Sequence, residues 1–387
     1  MSLFMDIAHD SVNKVNEELC GDNVEIRIND ESIIVVLADG LGSGVKANIL
    51  ATMTSTITAT MLEEKMGIMD VLETLEETLP KCKVRNLAYS TFTIVQVFRN
   101  RTAYILEFDN PPLIFIRDGE IIELDRKPIQ FQEKSVFETT IKIEKDDILA
   151  FFSDGVIHAG IGNLLNFGWQ WEEASDYILA RTYENKNAKE ISMALIDTCY
   201  NLYGEEPGDD TTAVVIRAEE RSYLTIFSGP PLDKSKDAEV KRLLDKARGK
   251  KIICGGTAGN IVSREYGEEI EIDLSTISER VPPVGYMKGV DLVTEGVLTI
   301  RETVHLLKEY LNNRCGHEIF EAKNGASMLA NYLINKCTTI DIIMGNSINP
   351  DHQNPDFPEE LTTKWRITQE LIDLLRCFNK EVNIVYV

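Results

Sequence analysis

Hydrophobic and polar positions follow two different patterns along the chain. Up to about residue 217, short runs of β-branched and aromatic residues alternate with turn residues, which is typical of β-strands. The predicted strands read "VEIRI", "SIIVVLA", "AYSTFTIVQVFR", "TAYILEFD", "PPLIFIRDGEIIEL", "SVFETTIKI", "DDILAFFSD" and "TTAVVIR". Predicted helices fall between them in pairs, so the pattern indicates an α+β domain in which a β-sandwich is flanked by helix pairs.

The first predicted helix follows a glycine-rich stretch. Val45, Ile49, Met53, Ile57 and Met61 recur at every fourth position, and this spacing predicts a helix that buries them as one stripe. Further helices are predicted over "IMDVLETLEETLP", which ends at Pro80, over Glu172–Thr182 and over Ala188–Tyr203.

Beyond residue 219 buried strands alternate with amphipathic helices. The strands read "SYLTIFSG", "KKIICGG", "VDLVTEG", "TIDIIMGN" and "VNIVYV". The helices are predicted over Asp237–Arg248, Ile300–Leu311, Ala326–Lys336 and Thr362–Phe378. Such alternation is typical of an α/β domain with a mostly parallel sheet covered by helices. We therefore predict two domains, residues 1–219 and 220–387, without a low-complexity linker between them.

Composition narrows the class of protein. The 387 residues are 43% hydrophobic and carry a net charge of −23. Such an acidic chain is unsuited to binding nucleic acid or an anionic membrane surface. No apolar run approaches the length of a membrane span, so we expect a soluble, cytoplasmic protein. The seven cysteines form no CxxC pair, which argues against disulfides and against a zinc or iron–sulfur site.

Aspartates stand at the ends of several predicted strands. Asp22, Asp209 and Asp210 precede a strand, whereas Asp39 and Asp154 follow one. Antiparallel strands can bring such residues to the same end of a sandwich, where their like charges would repel unless a cation lay among them. Ligands that are all oxygen indicate a hard divalent ion, magnesium or manganese. Aspartate is also common in turns, so the spacing alone leaves a purely structural role open.

The wording and order of these stretches resemble the PPM-type metal-dependent protein phosphatases. The resemblance is to their bacterial branch, which contains the sporulation stage II E phosphatase and the sigma-factor-regulating phosphatases. It covers residues 1–217. The matching stretches are "GD" at Gly21–Asp22, "DGLGSGVKA" at Asp39–Ala47, "PPLIFIRDGE" at Pro111–Glu120, "FFSDGVIHAG" at Phe151–Gly160 and "DDTT" at Asp209–Thr212.

The resemblance implies a site that holds two divalent cations, Mn²⁺ or Mg²⁺. Asp39 would bridge both ions, and the carbonyl of Gly40 and the carboxylate of Asp22 would help to hold one of them. Asp154 and Asp209 would hold the other. The pair would activate a water for attack on the phosphorus of phosphoserine or phosphothreonine. Asp39 and Asp154 are thus the predicted catalytic residues.

Other positions are less defined by the resemblance. Asp210 follows the last predicted ligand and is predicted to support the metal site. Leu41 occupies the position where eukaryotic relatives often have a histidine, so a metal-bound water would serve as the acid. Lys14 and Arg27 are candidates for the anchor of the substrate phosphate. His158 is a candidate catalyst, although a role at a helix start or in packing competes with it.

The functional prediction has two branches. The first is a protein serine/threonine phosphatase that acts on a phosphorylated regulatory protein, such as an anti-sigma antagonist, and is controlled by its C-terminal domain. The alternative is a catalytically weak partner-switching or sensor protein. The presence of all the aspartates favours the enzyme.

The C-terminal strands end in small polar residues and glycine: "SGPP" (228–231), "GGTAGN" (255–260), "TEG" (294–296) and "GNS" (345–347). The carboxyl ends of parallel strands share one edge, where ligands usually bind. No G-x-G-x-x-G and no P-loop is present, which argues against a dinucleotide. We predict a site for a small polar or phosphorylated molecule, with scaffolding or homodimer formation as the alternatives. Its predicted residues are Gly255, Gly256, Thr257, Gly259, Asn260, Thr294 and Glu295.

Overall fold

The computed structural model describes residues 3–79, 90–131, 134–184, 186–345 and 359–387. It divides into two compact units, Met1–Glu220 and Arg221–Val387. The predicted helix end at Pro80 and the predicted strand start at Ala88–Tyr89 lie outside the described residues.

The strands of the N-terminal unit form two antiparallel sheets. In chain order they are β1 (Leu3–Val12), β2 (Asp22–Ile28), β3 (Ser32–Gly40), β4 (Ser90–Phe98), β5 (Thr102–Phe108), β6 (Ile114–Arg117), β7 (Glu120–Ile122), β8 (Lys127–Phe131), β9 (Lys134–Lys142), β10 (Ile148–Phe152) and β11 (Thr211–Glu220). One sheet has the order β1-β11-β10-β6-β7, and the other β2-β3-β4-β5-β9-β8. The predicted β-rich unit with antiparallel sheets is confirmed.

Helices cover the outer faces of both sheets. They are α1 (Gly44–Glu63), α2 (Ile68–Thr78), α3 (Asp154–His158), α4 (Trp171–Thr182) and α5 (Ala188–Leu202). One core lies between the sheets and includes Val35 of β3 and Phe151 of β10. A second core joins α1 and α2 to the sheet of β3, and a third joins α4 and α5 to the sheet of β11. Strand ends from both sheets therefore belong to one layered unit.

The predicted buried stripe of α1 is confirmed only in part. Met53, Ile57 and Met61 are partly buried against the core, whereas Val45 and Ile49 are 61% and 50% exposed. The fully buried positions of α1 are small residues such as Ala47, Ala51 and Thr58, which let the helix approach the sheet closely. The pattern of large apolar residues therefore indicated the helix correctly but only part of its buried face.

The sheet of the C-terminal unit is mostly parallel. Its strands are β12 (Tyr223–Ser228), β13 (Lys250–Cys254), β14 (Glu271–Asp273), β15 (Val284–Met287), β16 (Val290–Thr294), β17 (Thr339–Met344) and β18 (Glu381–Tyr386), in the order β14-β15-β16-β13-β12-β17-β18. The pairings among β16, β13, β12, β17 and β18 are parallel. The two pairings of β15 are antiparallel, and this edge was not predicted.

Helices cover both faces of this sheet. They are α6 (Asp237–Lys246), α7 (Gly256–Tyr266), α8 (Val297–Leu311), α9 (Gly325–Asn335) and α10 (Glu359–Cys377). One core contains residues of α6 and α7, such as Val240 and Val262. The other contains residues of α8, α9 and α10, such as Leu307, Leu329 and Leu371. The unit is thus an α/β layer structure wound on both faces of its sheet.

No helix in the described part of the chain is long and apolar enough to cross a membrane. The six cysteines that the structure describes are free thiols: Cys20, Cys199, Cys254, Cys315, Cys337 and Cys377.

Candidate active site

The hairpin of β2 and β3 places two of the predicted aspartates side by side. Asp22 begins β2 and is directly opposite Asp39 in the antiparallel register. Opposite residues of an antiparallel pair project their side chains to the same face, with Cβ atoms about 5 Å apart. The amide of Gly40 donates to the carbonyl of Gly21 at 3.0 Å, which extends the pairing beyond the strand. This end of the hairpin therefore carries two adjacent carboxylates.

Asp22 is tied to the other sheet through Ser153. The Ser153 hydroxyl donates to Oδ2 of Asp22 at 2.7 Å and accepts from the amide of Thr212 at 3.0 Å. Asp22 is only 5% exposed, and its Oδ1 is buried without a hydrogen-bond partner among the described residues. Since buried carboxylate oxygens are normally paired, this atom is suited to a cation. No pattern in the sequence pointed to the role of Ser153.

Asp154 and Asp209 lie at the ends of the neighbouring sheet. Asp154 follows β10 as the first residue of α3, and its side chain is 44% exposed. Asp209 precedes β11, with a side chain that is 42% exposed. Asp210 is buried instead, and its Oδ1 accepts from the amide of Lys14 at 3.0 Å. Asp210 therefore holds the segment after β1 in place, while the other two carboxylates are open to solvent.

The charges of these residues act on one another. The pKa of Asp39 is raised to about 9, mainly by burial and then by the negative charges of Asp22, Asp154, Asp209 and Asp210. Burial also raises the pKa of Asp22 to about 7, although its hydrogen bonds from Ser153 and Thr212 oppose the shift. Burial, followed by the charge of Asp154, raises the pKa of Asp209. A cation at this site would relieve the repulsion.

Electrostatic proximity is not yet coordination. Within the described ranges, no three Asp, Glu, His or Cys side chains lie close enough together to hold a metal ion. The two observations agree, because charges interact over about 10 Å whereas oxygen ligands must approach a divalent ion to about 2.0–2.6 Å. The donor chemistry and the unpartnered Oδ1 of Asp22 fit a divalent cation.

Glycines shape the turn between β3 and α1. A Cβ on Gly40 would overlap the carbonyl of Ala47, so glycine lets the first turns of the helix approach the strand end. Gly42 and Gly44 have φ values of 111° and 64°, which L-residues with a side chain rarely adopt. The predicted turn into the helix is confirmed, while a metal-binding role of the Gly40 carbonyl stays a prediction.

The other candidates of this unit are separated by the structure. Nζ of Lys14 lies 3.8 Å from Oδ1 of Asp209. This lysine is therefore at the acidic cluster, by which we mean Asp22, Asp39, Asp154, Asp209 and Asp210. Arg27 pairs with Glu25 near the opposite end of β2 and is not brought to the cluster. Nδ1 of His158 lies 3.7 Å from Oδ2 of Asp154, and its side chain is 46% exposed, so this histidine lies beside the predicted ligand and outside the core.

In the C-terminal unit, the structure brings the turn after β13 beside the end of β16. The amide of Gly255 donates to the carbonyl of Thr294 at 2.8 Å, and Gly256 begins α7 with open space at its Cβ position. Gly259 instead packs under Ile270 and is buried, so it is a packing glycine. Thr257, Asn260 and Glu295 lie around this turn, in the first turns of α7 and just after β16. Asn346 and Ser347 of the predicted "GNS" stretch lie outside the described residues.

Comparison with known proteins defines the class of the N-terminal unit. Residues 29–219 match the family described as Stage II sporulation protein E (SpoIIE). This range includes Asp39, Asp154 and Asp209 but begins after Asp22. The N-terminal unit is therefore a SpoIIE-type phosphatase domain, of the phosphoprotein phosphatase class. The resemblance inferred from the sequence motifs is confirmed for about half of the chain.

Solved structures with partial similarity include three examples. The PP2C phosphatase domain and a fragment of the regulatory domain of SpoIIE from Bacillus subtilis is 17% identical, with a TM-score of 0.47 over 57% of this chain and 65% of that chain. The RsbU and RsbW domains of a Mycobacterium tuberculosis protein are 14% identical, with a TM-score of 0.47 over 63% and 70%. RsbX in complex with magnesium is 18% identical, with a TM-score of 0.40 over 56% and 96%. The comparison with curated proteins returned no match.

Proposed function

We propose that the N-terminal unit hydrolyses phosphoserine and phosphothreonine in a protein substrate, using two divalent cations, Mn²⁺ or Mg²⁺. The observation that carries this proposal is the set of negative charges around Asp39. Asp39 lies opposite Asp22, and the charges of Asp154, Asp209 and Asp210 also raise its pKa. A purely structural role for these turn residues does not account for so many like charges together, because each negative charge raises the free energy of the ionised form of the other carboxyl groups.

The proposed ligands follow the sequence prediction. Asp22, Asp39, Asp154, Asp209 and the carbonyl of Gly40 would hold the two cations. Bound cations would supply Lewis acidity, which lowers the pKa of a water and offsets charge on the phosphoryl oxygens.

The chain's own residues orient this site. Ser153 fixes one oxygen of Asp22 and leaves the other free to bind a cation. Lys14, beside Asp209, provides a positive charge within reach of a substrate phosphate. We assign it the role of phosphate anchor, because an ammonium group at the rim of an acidic site favours a dianionic substrate over water.

The substrate class and the regulation follow from the family resemblance. The proposed substrate is a phosphorylated regulatory protein, such as an anti-sigma antagonist. The C-terminal unit is proposed to control or target the phosphatase by binding a small polar or phosphorylated molecule at the carboxyl edge of its parallel sheet, near Gly255, Gly256, Thr294 and Glu295.

The test is hydrolysis of p-nitrophenyl phosphate and of a phosphoserine peptide by the full chain with excess Mn²⁺ or Mg²⁺. We expect Asp39→Asn to lower the rate by about 100-fold or more, since even residues that only support a metal ligand contribute 10–100-fold. Asp176→Asn is the matched control, because Asp176 is an exposed aspartate on α4.

Two results would contradict the proposal. An unaltered rate in Asp39→Asn would show that the cluster does not carry the chemistry. A folded wild-type chain that is inactive with both ions would favour the catalytically weak partner-switching protein instead.

A further inference from the structure

The carboxyl edge of the C-terminal sheet contains a buried hydroxyl that lacks a partner. Ser228 is the last residue of β12 and is 2% exposed, and its Oγ has no hydrogen-bond partner among the described residues. Nearly all buried polar groups in folded proteins are hydrogen-bonded. An unpartnered hydroxyl at a strand end therefore points to a group that is bound there.

Ser228 lies at the point where the strand order reverses. From β12 the chain proceeds through β13 to β16 on one side, whereas β17 and β18 lie on the other. In doubly wound sheets, ligands bind outside the carboxyl ends of the strands at this switch point. Ser228 and Met344 are register partners in β12 and β17, so they lie at the carboxyl ends of the two strands that flank this switch point.

A lysine from α10 reaches the same place. Nζ of Lys364 lies 3.3 Å from the carbonyl of Ser228. Leu224 and Ile226 share a core with the helix of Lys364, and strand alternation puts the Ser228 side chain on that same face. No carboxylate of the described residues lies within salt-bridge distance of this ammonium. Burial lowers the pKa of Lys364, and only Cys254 acts to raise it.

Two glycines make room for this arrangement. A Cβ on Gly229 would overlap Nζ of Lys364, and a Cβ on Gly345 would overlap the carbonyls of Gly229 and Pro230. Gly345, directly after β17, therefore lies close to the turn after β12, and Gly229 of that turn lies close to the lysine. Because Pro230 and Pro231 lack amide hydrogens and no G-x-G-x-x-G follows β12, the turn is unsuited to the pyrophosphate of a dinucleotide.

We propose that this switch point binds the compact anionic group, phosphate or carboxylate, of a small metabolite. The ammonium of Lys364 forms the ion pair and the hydroxyl of Ser228 donates a hydrogen bond. The proposal names a ligand class and an anchoring lysine for the regulatory role suggested above. Its binding test needs no phosphatase activity, so the two proposals can fail separately.

The experiment is a calorimetric titration of the full chain with inorganic phosphate and, separately, with acetate. EDTA is present so that the N-terminal site does not bind phosphate through metal ions, and chloride keeps the ionic strength constant. The titrations reach anion concentrations of about 10 mM, which is enough to detect a site with a millimolar Kd. We expect at least one of the two anions to bind. Tighter binding of phosphate would identify the natural anionic group as a phosphate, and tighter binding of acetate would identify it as a carboxylate.

Variants locate the binding. Lys364→Met should weaken it by about tenfold or more and Ser228→Ala by about threefold, the usual range for charged and neutral hydrogen bonds. Lys308→Met, which removes a lysine paired with Glu370, should leave it unchanged. Without anion, Lys364→Met should unfold at no lower temperature than wild type, because it removes a largely buried ammonium that no carboxylate of the described residues pairs with.

Three outcomes would overturn the proposal: no binding of either anion, equal binding by wild type and Lys364→Met, or a loss of thermal stability in Lys364→Met without anion. The last result would show that Lys364 only holds the Ser228 carbonyl.

Discussion

Ser153 is the residue whose hydrogen bond most opposes the raised pKa of Asp22, which burial causes. Its hydroxyl stabilises the charged form of Asp22 and so lowers a pKa that burial raises. Ser153→Ala should raise this pKa further and weaken cation binding. We expect the Mn²⁺ concentration needed for half-maximal activity to rise about tenfold, as for other residues that support metal ligands.

The stability effect of Ser153→Ala gives a second measurement. The change leaves the amide of Thr212 without its side-chain acceptor, at a cost of about 1–3 kcal/mol in urea unfolding. Ser175→Ala is the control, because Ser175 is also buried but donates only to Glu172 of its own helix. An unchanged Mn²⁺ requirement in Ser153→Ala would argue that Asp22 does not bind the ion.

At the scale of elements, the contact between β3 and α1 depends on Gly40. A Cβ there would overlap the Ala47 carbonyl, so Gly40→Ala must displace the start of the helix. We expect a loss of about 1–3 kcal/mol in the free energy of unfolding, the usual cost of overpacking. Gly208→Ala is the control, since its nearest neighbours lie at 3.5 Å. Equal stability of both variants would mean that the approach of α1 to β3 is not fixed by Gly40.

The same elements show what the sequence could predict. Periodicity located α1, but most of its buried positions are small residues such as Ala47 and Ala51, which a search for large apolar side chains overlooks. Strand β1 was missed altogether. Its buried Asp6 and Asp10 interrupt the apolar pattern, and they are paired with the amide of Ala188 and the ammonium of Lys189 only in the folded chain.

The candidate site was predictable to a similar extent. The positions of Asp22 and Asp39 at strand ends follow from the sequence, because a hairpin puts such residues side by side. The link from Ser153 to Asp22 joins residues 131 positions apart, and no local pattern encodes it. The same holds for Lys364, whose contact with Ser228 spans 136 positions. Long-range contacts of single polar side chains are what the sequence left open.

At the scale of the whole molecule, the acidic cluster adds to a chain that already carries a net charge of −23. Without cations, Asp22 and Asp39 stay protonated to a higher pH in the folded chain than in the unfolded chain. Their pKa values are raised from 3.8 to about 7 and about 9. Between 3.8 and these values the folded state binds more protons than the unfolded state. The free energy of unfolding therefore falls as the pH rises through this window.

Divalent cations should reverse this trend, because they bind the ionised carboxylates and displace the protons. Mn²⁺ should raise the temperature of the first unfolding transition of the chain. We expect this increase to become larger between about pH 5 and about pH 8. Differential scanning fluorimetry of the full chain, with and without Mn²⁺, measures this increase. In Asp39→Asn it should be much smaller, and in Asp176→Asn it should match wild type. An Mn²⁺ effect that is constant over this range, or that shrinks as the pH rises, would mean that the ion binds away from Asp22 and Asp39.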